Sequence, residues 1–337
     1  MYTRWTATPL TPLVIAGAEN RPTEADIRAE GLRAPEVKGM ARYWFRLLAP
    51  SVLGCGQHDA AATAATVATW EGAWFGDTEQ GGRLNVVSRP TSVALPTDMA
   101  LLRMNNAQGR TAERCAIMPV PHANQPPFQF DLRTHDARAM RAAVCCLWLL
   151  SMLGGVGART RRGFGSLALG LIGADARACA VVQDLPLPFS VEGDLWQVGD
   201  TYRKGIASAR RVLADAAGIG APRANTALPA LHASTATLFV VRAEGGAWRD
   251  WQAAMNGLRT DFYSKYKEAF GVGNRLGSPS NLHLQLKRDV VGDFYGVVLC
   301  FNTEQQHSDQ GCDDLANQLY ELDDNGWEVQ RVDLPSA

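Results

Sequence analysis

An α+β fold built from two βαββαβ units, the first carrying long insertions, is what this sequence predicts. Residues 235–332 run as strand, helix, two strands, helix and strand. The first half supplies pieces of the same kinds, separated by longer gaps. Throughout, β-branched and aromatic runs exchange with segments whose apolar residues recur every three or four positions.

Taken in order, Tyr2–Ala16 reads as a strand interrupted by Pro9 and Pro12, hence an edge or bent strand, because proline has no N–H for an interior ladder. Val37–Leu48 is a helix, and Trp70–Phe75 a short apolar segment ending another. Arg83–Leu95 and Ala116–Phe130 read as strands around a Pro-rich excursion. Ala137–Leu153 is a strongly apolar helix running into a glycine-rich loop, followed by a strand over Ser166–Ile172. The Pro-containing stretch Asp184–Ser190 marks the junction between a first domain, 1–183, and a second, 191–337. In the second, Thr235–Ala243 is a strand and Trp248–Phe270 a helix with Trp251, Met255, Leu258 and Phe262 in helical register. Leu282, Leu284 and Leu286 then alternate with His283, Gln285 and Lys287. Phe294–Phe301 is a strand, Leu315, Leu319 and Leu322 mark a helix, and Trp327–Val332 closes the series. That order is ferredoxin-like (RRM-related). RNA-recognition modules use it and so do many enzymes, so topology alone assigns no function.

With 46% hydrophobic and 20% charged residues over 337 positions, the chain has the composition of a globular protein with room for two cores. No apolar run approaches the roughly 20 residues of a membrane span. The opening Met1-Tyr2-Thr3-Arg4-Trp5 lacks a signal-peptide apolar region, and the seven cysteines contain no Cys-x-x-Cys. Cys145-Cys146 sit in a helical pattern that suits buried thiols. A reducing cytoplasm is the expected location. The net charge of −1 conceals an asymmetry: from Glu304 onward there are nine acidic residues and one arginine, leaving 32 basic against 25 acidic residues before it. An acidic terminal segment on a basic body admits an anionic partner for the body.

The most distinctive stretch is Gly154-Gly155-Val156-Gly157-Ala158-Arg159-Thr160-Arg161-Arg162-Gly163-Phe164-Gly165-Ser166. Glycine lets a backbone take positive φ and come close to another molecule, and arginine presents a planar, permanently charged fork. It is no phosphate-binding P-loop, because Arg162 stands where the second glycine belongs and no Lys-Ser/Thr follows. Nor is it a dinucleotide fingerprint: Gly155 and Gly157 begin one, but Thr160 occupies the third glycine position. Two readings stand, a loop lying against a polyanion and a flexible connector with solvated arginines. In the first helix, Lys38, Arg42 and Arg46 recur every four residues and form one stripe opposite Val37, Met40, Trp44, Leu47 and Leu48. Like charges at that spacing repel by a few tenths of a kcal/mol, so the stripe calls for an anion unless it is merely a solvated face.

Signals for catalysis are sparse. The six histidines (His58, His122, His135, His232, His283, His307) have no metal-ligand spacing, and no Gly-x-Ser-x-Gly occurs. Glu19, Glu24, Asp26 and Glu30 cluster between the first strand and first helix. A carboxylate there would suit metal-assisted RNA cleavage, though a surface loop carries carboxylates for solubility as well.

Four stretches together resemble the RAMP superfamily of CRISPR effector subunits, most nearly the first subunits of type III-B (Cmr) complexes. They are Thr11-Pro12-Leu13-Val14-Ile15-Ala16-Gly17-Ala18, the Leu32–Arg46 segment with Arg33-Ala34-Pro35 and Lys38-Gly39, Glu71-Gly72-Ala73-Trp74-Phe75-Gly76, and the glycine-arginine loop. Arg275-Leu276-Gly277-Ser278-Pro279 before a strand adds to it. The resemblance implies two ferredoxin-like domains in a non-catalytic subunit with no cofactor, no metal and no catalytic residue. It implies partners as well: guide (CRISPR) RNA held through its backbone near the 3′ end, target RNA, and neighbouring RAMP subunits, in antiviral defence and away from membranes. Carried onto this chain, Lys38, Arg42 and Arg46 line the groove. Arg159, Arg161 and Arg162 approach RNA from the loop that Gly155 and Gly157 shape. The acidic segment after Glu304 departs from a uniformly basic surface and is assigned to a protein neighbour. The alternative within the same superfamily is an endoribonuclease that cleaves target or precursor guide RNA through Asp26 with a divalent metal, or through a histidine such as His122.

Overall fold

The computed structural model describes residues 1–14, 32–55, 59–77, 79, 81–89, 99–105, 111–119, 128–225, 227–243, 248–258, 282–301 and 327–336. Its first half contains β1 (Tyr2–Pro9), α1 (Ala34–Leu48), α2 (Ala60–Phe75), β2 (Asn85–Arg89), β3 (Met99–Asn105), β4 (Thr111–Ile117), β5 (Phe128–Arg133), α3 (Ala137–Leu153), β6 (Leu167–Ala174) and α4 (Ala176–Val182). After these come α5 (Leu195–Ala217), β7 (Ala236–Ala243), α6 (Trp251–Asn256), β8 (Leu282–Arg288), β9 (Phe294–Phe301) and β10 (Trp327–Val332). The result is a mixed α/β fold with two four-stranded sheets, ordered β2-β5-β1-β6 and β10-β7-β9-β8, plus the hairpin β3-β4. Every pairing within the two sheets is antiparallel. In each sheet the first strand of the set lies between the third and fourth with the second at the edge, which is consistent with a ferredoxin-like architecture.

Several elements differ from their sequence reading. β1 is an interior strand, not an edge or bent one, because it pairs with both β5 and β6. Pro9 is its last residue and Pro12 lies beyond it, so neither removes a donor from the middle of the ladder. The single strand expected over Ala116–Phe130 is instead the end of β4 and the start of β5. Helices α4 and α5 had no sequence counterpart. In α5 the apolar face of Leu195, Val198, Tyr202, Ile206, Ala209 and Leu213 is interrupted by Gly199 and Gly205, which weaken the helical signal. The expected helix over Leu315–Leu322, along with most of Trp248–Phe270, lies outside the described residues.

Local chemistry sets the helix ends. Asp136 accepts from the N–H groups of Arg138 and Ala139 at the start of α3, and Asp194 with Gln197 forms a capping box on α5. Gly218 closes α5 at φ 73°, in the left-handed region glycine tolerates. Helix α3 is apolar nearly all round because α1, α4, α5 and β6 cover it from different sides. Cys145 and Cys146 lie fully inside it as free thiols, and burial pushes both pKa values upward, so neither is poised to react.

The second sheet is buried on both faces. Leu284, Val298 and Phe239 pack with Met255 and Leu258, while Leu238, Val240, Tyr295, Val297 and Leu299 join the main core shared with α3 and α5. The first sheet has one such face, where Trp5, Phe130 and Leu132 join that core. On its other face Arg4, Arg89 and Arg133 converge on Asp131 at 3.1, 2.6 and 3.0 Å. Burial opposes charge on Asp131, yet hydrogen bonds from these arginines outweigh it and hold its carboxyl far below the usual range.

Helix α5 approaches α3 closely at Gly205, where a Cβ would lie 2.1 Å from the Trp148 ring. Alanine there improves helix propensity by about 1 kcal/mol but forces the ring to move. Gly205→Ala is therefore expected to lower stability by about 1–3 kcal/mol in urea unfolding, and a neutral or stabilising result would contradict this packing.

Candidate nucleic-acid interface

The glycine-arginine loop is a folded turn whose backbone is stitched on two sides, so it is not a flexible connector. Val156 N–H donates to the Gly165 carbonyl at 2.9 Å. Gly165 and Ala158 donate to the carbonyls of Pro12 and Val14, at 3.0 and 2.8 Å. On the far side Leu284 N–H of β8 donates to the Arg161 carbonyl at 3.0 Å, joining the loop to the second sheet. The glycines have specific internal reasons. At Gly157, φ 83°, a Cβ would fall 2.3 Å from the Val14 oxygen; at Gly165, φ 68°, it would fall 1.9 Å from the Val156 oxygen. At Gly155 it would meet the Gly165 carbonyl at 2.7 Å. Close approach is thus made to the chain's own backbone. Arg159 also takes positive φ, 61°, which costs a non-glycine residue about 1–2 kcal/mol and is held by the turn from Arg162 N–H to the Arg159 carbonyl at 2.9 Å.

The basic stripe lies on α1, begun by Pro35 in its first turn and by Glu36, whose carboxylate accepts from the Arg33 N–H at 3.4 Å and from the Arg33 guanidinium at 2.8 Å. Lys38 and Arg42 are half-buried and Arg46 is exposed. The folded chain supplies an anion of its own: Glu71 on α2, only 5% exposed, lies 2.5 Å from Arg42 Nε and 2.6 Å from Arg46 Nε. Burial raises the Glu71 pKa, but hydrogen bonds from Arg46 and Arg42 outweigh it and the net shift is downward. This role of Glu71 is not legible in the sequence, since nothing in the run Trp70–Gly76 marks which face it takes. Burial, with Arg42 beside it, lowers the Lys38 pKa. Two arginines on one carboxylate leave the stripe with a net positive charge.

Stripe and loop meet at Tyr43. The Arg161 guanidinium lies over the Tyr43 ring, 5.6 Å from its centre, and Tyr43 shares a 2.9 Å hydrogen bond with His283 Nε2 on β8. Arg159 is half-buried beside it on the loop and Arg162 is exposed. Burial, with help from Arg161, pushes His283 down to about 3, so it is neutral at ordinary pH. His283, Gln285 and Lys287 share the face of β8 that carries Leu299, Val297 and Tyr295 opposite them on β9. Gln285 donates to the Thr160 carbonyl and accepts from the Ser166 hydroxyl. Lys287 is buried and donates to the Gly154 carbonyl, at the C-terminal cap of α3, at 2.7 Å. These polar partners were visible in the sequence as the residues alternating with leucine. What they contact depends on where β8 docks.

A cavity of about 110 Å³ opens between α1, the loop and β8, walled by Tyr43, Trp44, Gly154, Arg161, His283 and Gln285. The carboxylate cluster Glu19, Glu24, Asp26 and Glu30, together with His58, His122, His307 and the Arg275–Pro279 segment, lies outside the described residues. Among the described residues no group of three or more His, Cys, Asp or Glu side chains is arranged to hold a metal ion, and no helix is long and apolar enough to cross a membrane.

Comparison with known proteins fits this geometry. Residues 6–168 match the RAMP superfamily model, a stretch holding the second half of β1, α1 and the whole glycine loop. Cmr1-1, a Cmr subunit of the CRISPR system of Pyrococcus furiosus, is 25% identical over 244 residues. That alignment covers 70% of this chain and 64% of the relative, just under two thirds of its length. The crystal structure of Cmr1 from Pyrococcus furiosus in its apo form superposes with a TM-score of 0.57 over 98% of both chains, at 17% identity. The chain's first half matches the RAMP superfamily, and the chain as a whole resembles Cmr1. A subunit of a type III-B Cmr-β complex bound to cognate target RNA shares the fold as well, with a TM-score of 0.55, 11% identity and coverage of 89% of this chain and 94% of that one. Within the matched stretch, Pro12 and Val14 after β1 and Tyr43 of helix α1 brace the loop.

Lys287 carries a testable electrostatic signature. Burial lowers its pKa to about 7, against about 10.4 in an unfolded chain. Between those values the unfolded chain holds a proton that the folded one has released, so the contribution of Lys287 to stability rises with pH across this window. The stability difference between wild type and Lys287→Met, measured by urea unfolding from pH 7 to 10, is expected to shift in favour of wild type by up to about 1.4 kcal/mol per pH unit. A pH-independent difference would mean the lysine is solvated in the folded state.

Proposed function

We propose that this protein is a non-catalytic RNA-binding subunit of a type III-B CRISPR RNA-guided effector complex. In this reading it holds the 3′ region of the guide RNA, the guide–target duplex, or both, through the backbone, in antiviral defence. The observation that carries the reading is the convergence of two basic elements on one site. Helix α1, which carries Lys38, Arg42 and Arg46, and the loop that carries Arg159, Arg161 and Arg162 touch where Arg161 lies over Tyr43. Cations on phosphates position an RNA without reading its sequence, as a variable guide requires. The likeness to Cmr1, and to a complex bound to cognate target RNA, supports the same assignment.

The chain in this proposal comprises two ferredoxin-like domains, 1–183 and 191–337, the β3-β4 hairpin belonging to the insertions of the first. The strand orders of the two sheets support it, since each is drawn from one side of the 184–190 stretch. Gly155 and Gly157 act by fixing the turn that presents the arginines, and Lys38, Arg42 and Arg46 act as a surface already partly neutralised by Glu71. Other RAMP subunits are the protein partners, with the acidic segment after Glu304 facing one of them.

Replacing Arg159, Arg161 and Arg162 together with alanine is expected to weaken binding to unrelated RNA sequences alike. Each single-strand phosphate contact contributes about 0.7 to the slope of log K against log salt, so losing three flattens it by roughly two. Unchanged affinity and slope would reject the loop as an RNA contact. Incubation with RNA and Mg²⁺ or Mn²⁺ is expected to leave the RNA intact. Cleavage products that disappear on Asp26→Ala or His122→Ala substitution would replace this reading with the endoribonuclease.

A further inference from the structure

We infer that the cavity between α1, the glycine loop and β8 receives one unstacked nucleobase of the bound RNA. The inference rests on the RNA-binding reading above and adds to it a contact with a base.

Its hydrogen-bond inventory points to a ligand that brings an acceptor. Gln285 spends its amide on Thr160 and Ser166, Tyr43 and His283 bond each other, and the Gly154 carbonyl is taken by Lys287. Trp44 Nε1 remains. The indole is fully buried, lines the cavity, and has no hydrogen-bond partner among the described residues. A buried N–H left without an acceptor costs about 1–3 kcal/mol, so an occupant that accepts from it is favoured. The Trp44 ring fits here because residue 154 is glycine: a Cβ there would lie 2.3 Å from Trp44 Nε1.

The walls suit a ring better than a phosphate. Arg161 is the one formally charged side chain lining the cavity, and His283, neutral at ordinary pH, adds no positive charge. Tyr43, Trp44 and His283 supply aromatic surface, with the Tyr43 and His283 rings near parallel at 27°. Bases of single-stranded RNA are read in this way, splayed from the stack and held by aromatic faces, guanidinium planes and polar edges. The volume of about 110 Å³ is on the order of the ~150 Å³ that admits a benzene ring, so a single flat ring suits it and a whole nucleotide does not. From α1 the cavity is lined by Met40, Tyr43 and Trp44, and from the loop by Gly155, Thr160 and Arg161, so a backbone crossing from helix to loop would pass beside it.

The test compares a twelve-nucleotide oligouridylate with a fully abasic ribose-phosphate oligomer of the same length, both titrated against the full chain. Wild type is expected to bind the base-bearing oligomer about tenfold more tightly, the scale of one base–aromatic contact. Trp44→Phe removes the unpaired N–H and Met40→Phe fills the cavity from α1. Each is expected to bring oligouridylate down toward the abasic level while leaving abasic binding as it was. The second variant keeps the test decisive if the first does not fold. Equal binding of the two oligomers by wild type, or folded variants that keep the full preference for bases, would overturn the base pocket, leave the phosphate contacts standing and assign the cavity to water. Failure of the full chain to bind either oligomer would overturn the RNA reading and the pocket with it.

Discussion

The C-terminal end of α3 is the point on which both halves of the molecule close. A helix end leaves carbonyls without intrahelical donors, and this one lies in the interior, where water does not satisfy them. Side chains from the second half do so: Tyr202 of α5 donates to the Met152 carbonyl at 2.9 Å and Lys287 of β8 to the Gly154 carbonyl at 2.7 Å. The negative end of the helix dipole favours a cation there, which offsets part of the cost of burying a lysine. Without the chain reversal at Gly154 and Gly155, the loop arginines would not meet α1, and β8 would lack the backbone that its polar face bonds.

The arginines follow a common scheme. Arg42 and Arg46 fan over Glu71, and Arg4, Arg89 and Arg133 fan over Asp131, each carboxylate being buried and each arginine at least partly exposed. A planar guanidinium so held is pre-oriented, with less side-chain entropy left to lose when a further anion approaches. The carboxylate removes one charge and fixes the remainder. This reconciles a chain of net charge −1 with locally basic surfaces. It also answers the repulsion expected along α1, where the first anion to neutralise the stripe comes from the neighbouring helix.

Much of the fold was legible because its signals are local. Alternating apolar residues marked β8, the continuous runs in β7 and β9 marked strands covered on two faces, and α3 coincided with its apolar run from Ala137 to Leu153. β1 was misplaced to an edge because proline was weighed by its presence and not by its position at the strand's end. Helix α5 was missed because Gly205 lowers helix propensity, and the reason for that glycine, the Trp148 ring, lies 57 positions away in sequence.

For the site, the sequence by itself determined the chemical inventory: a stripe of cations on one helix, three arginines among glycines in one loop, and three polar residues on one face of a strand. The stripe and the strand face follow from periodicity, the loop from its local run of glycine and arginine, and none needs a partner to be read. Tertiary structure alone decided what those groups face. The loop glycines serve the chain's own backbone, Glu71 pairs with Arg42 and Arg46, and Trp44 is left with an N–H beside a cavity. Arg42–Glu71 and Tyr43–His283, for example, join residues 29 and 240 positions apart. Periodicity carries no record of distance through space, and only packing brings these groups together.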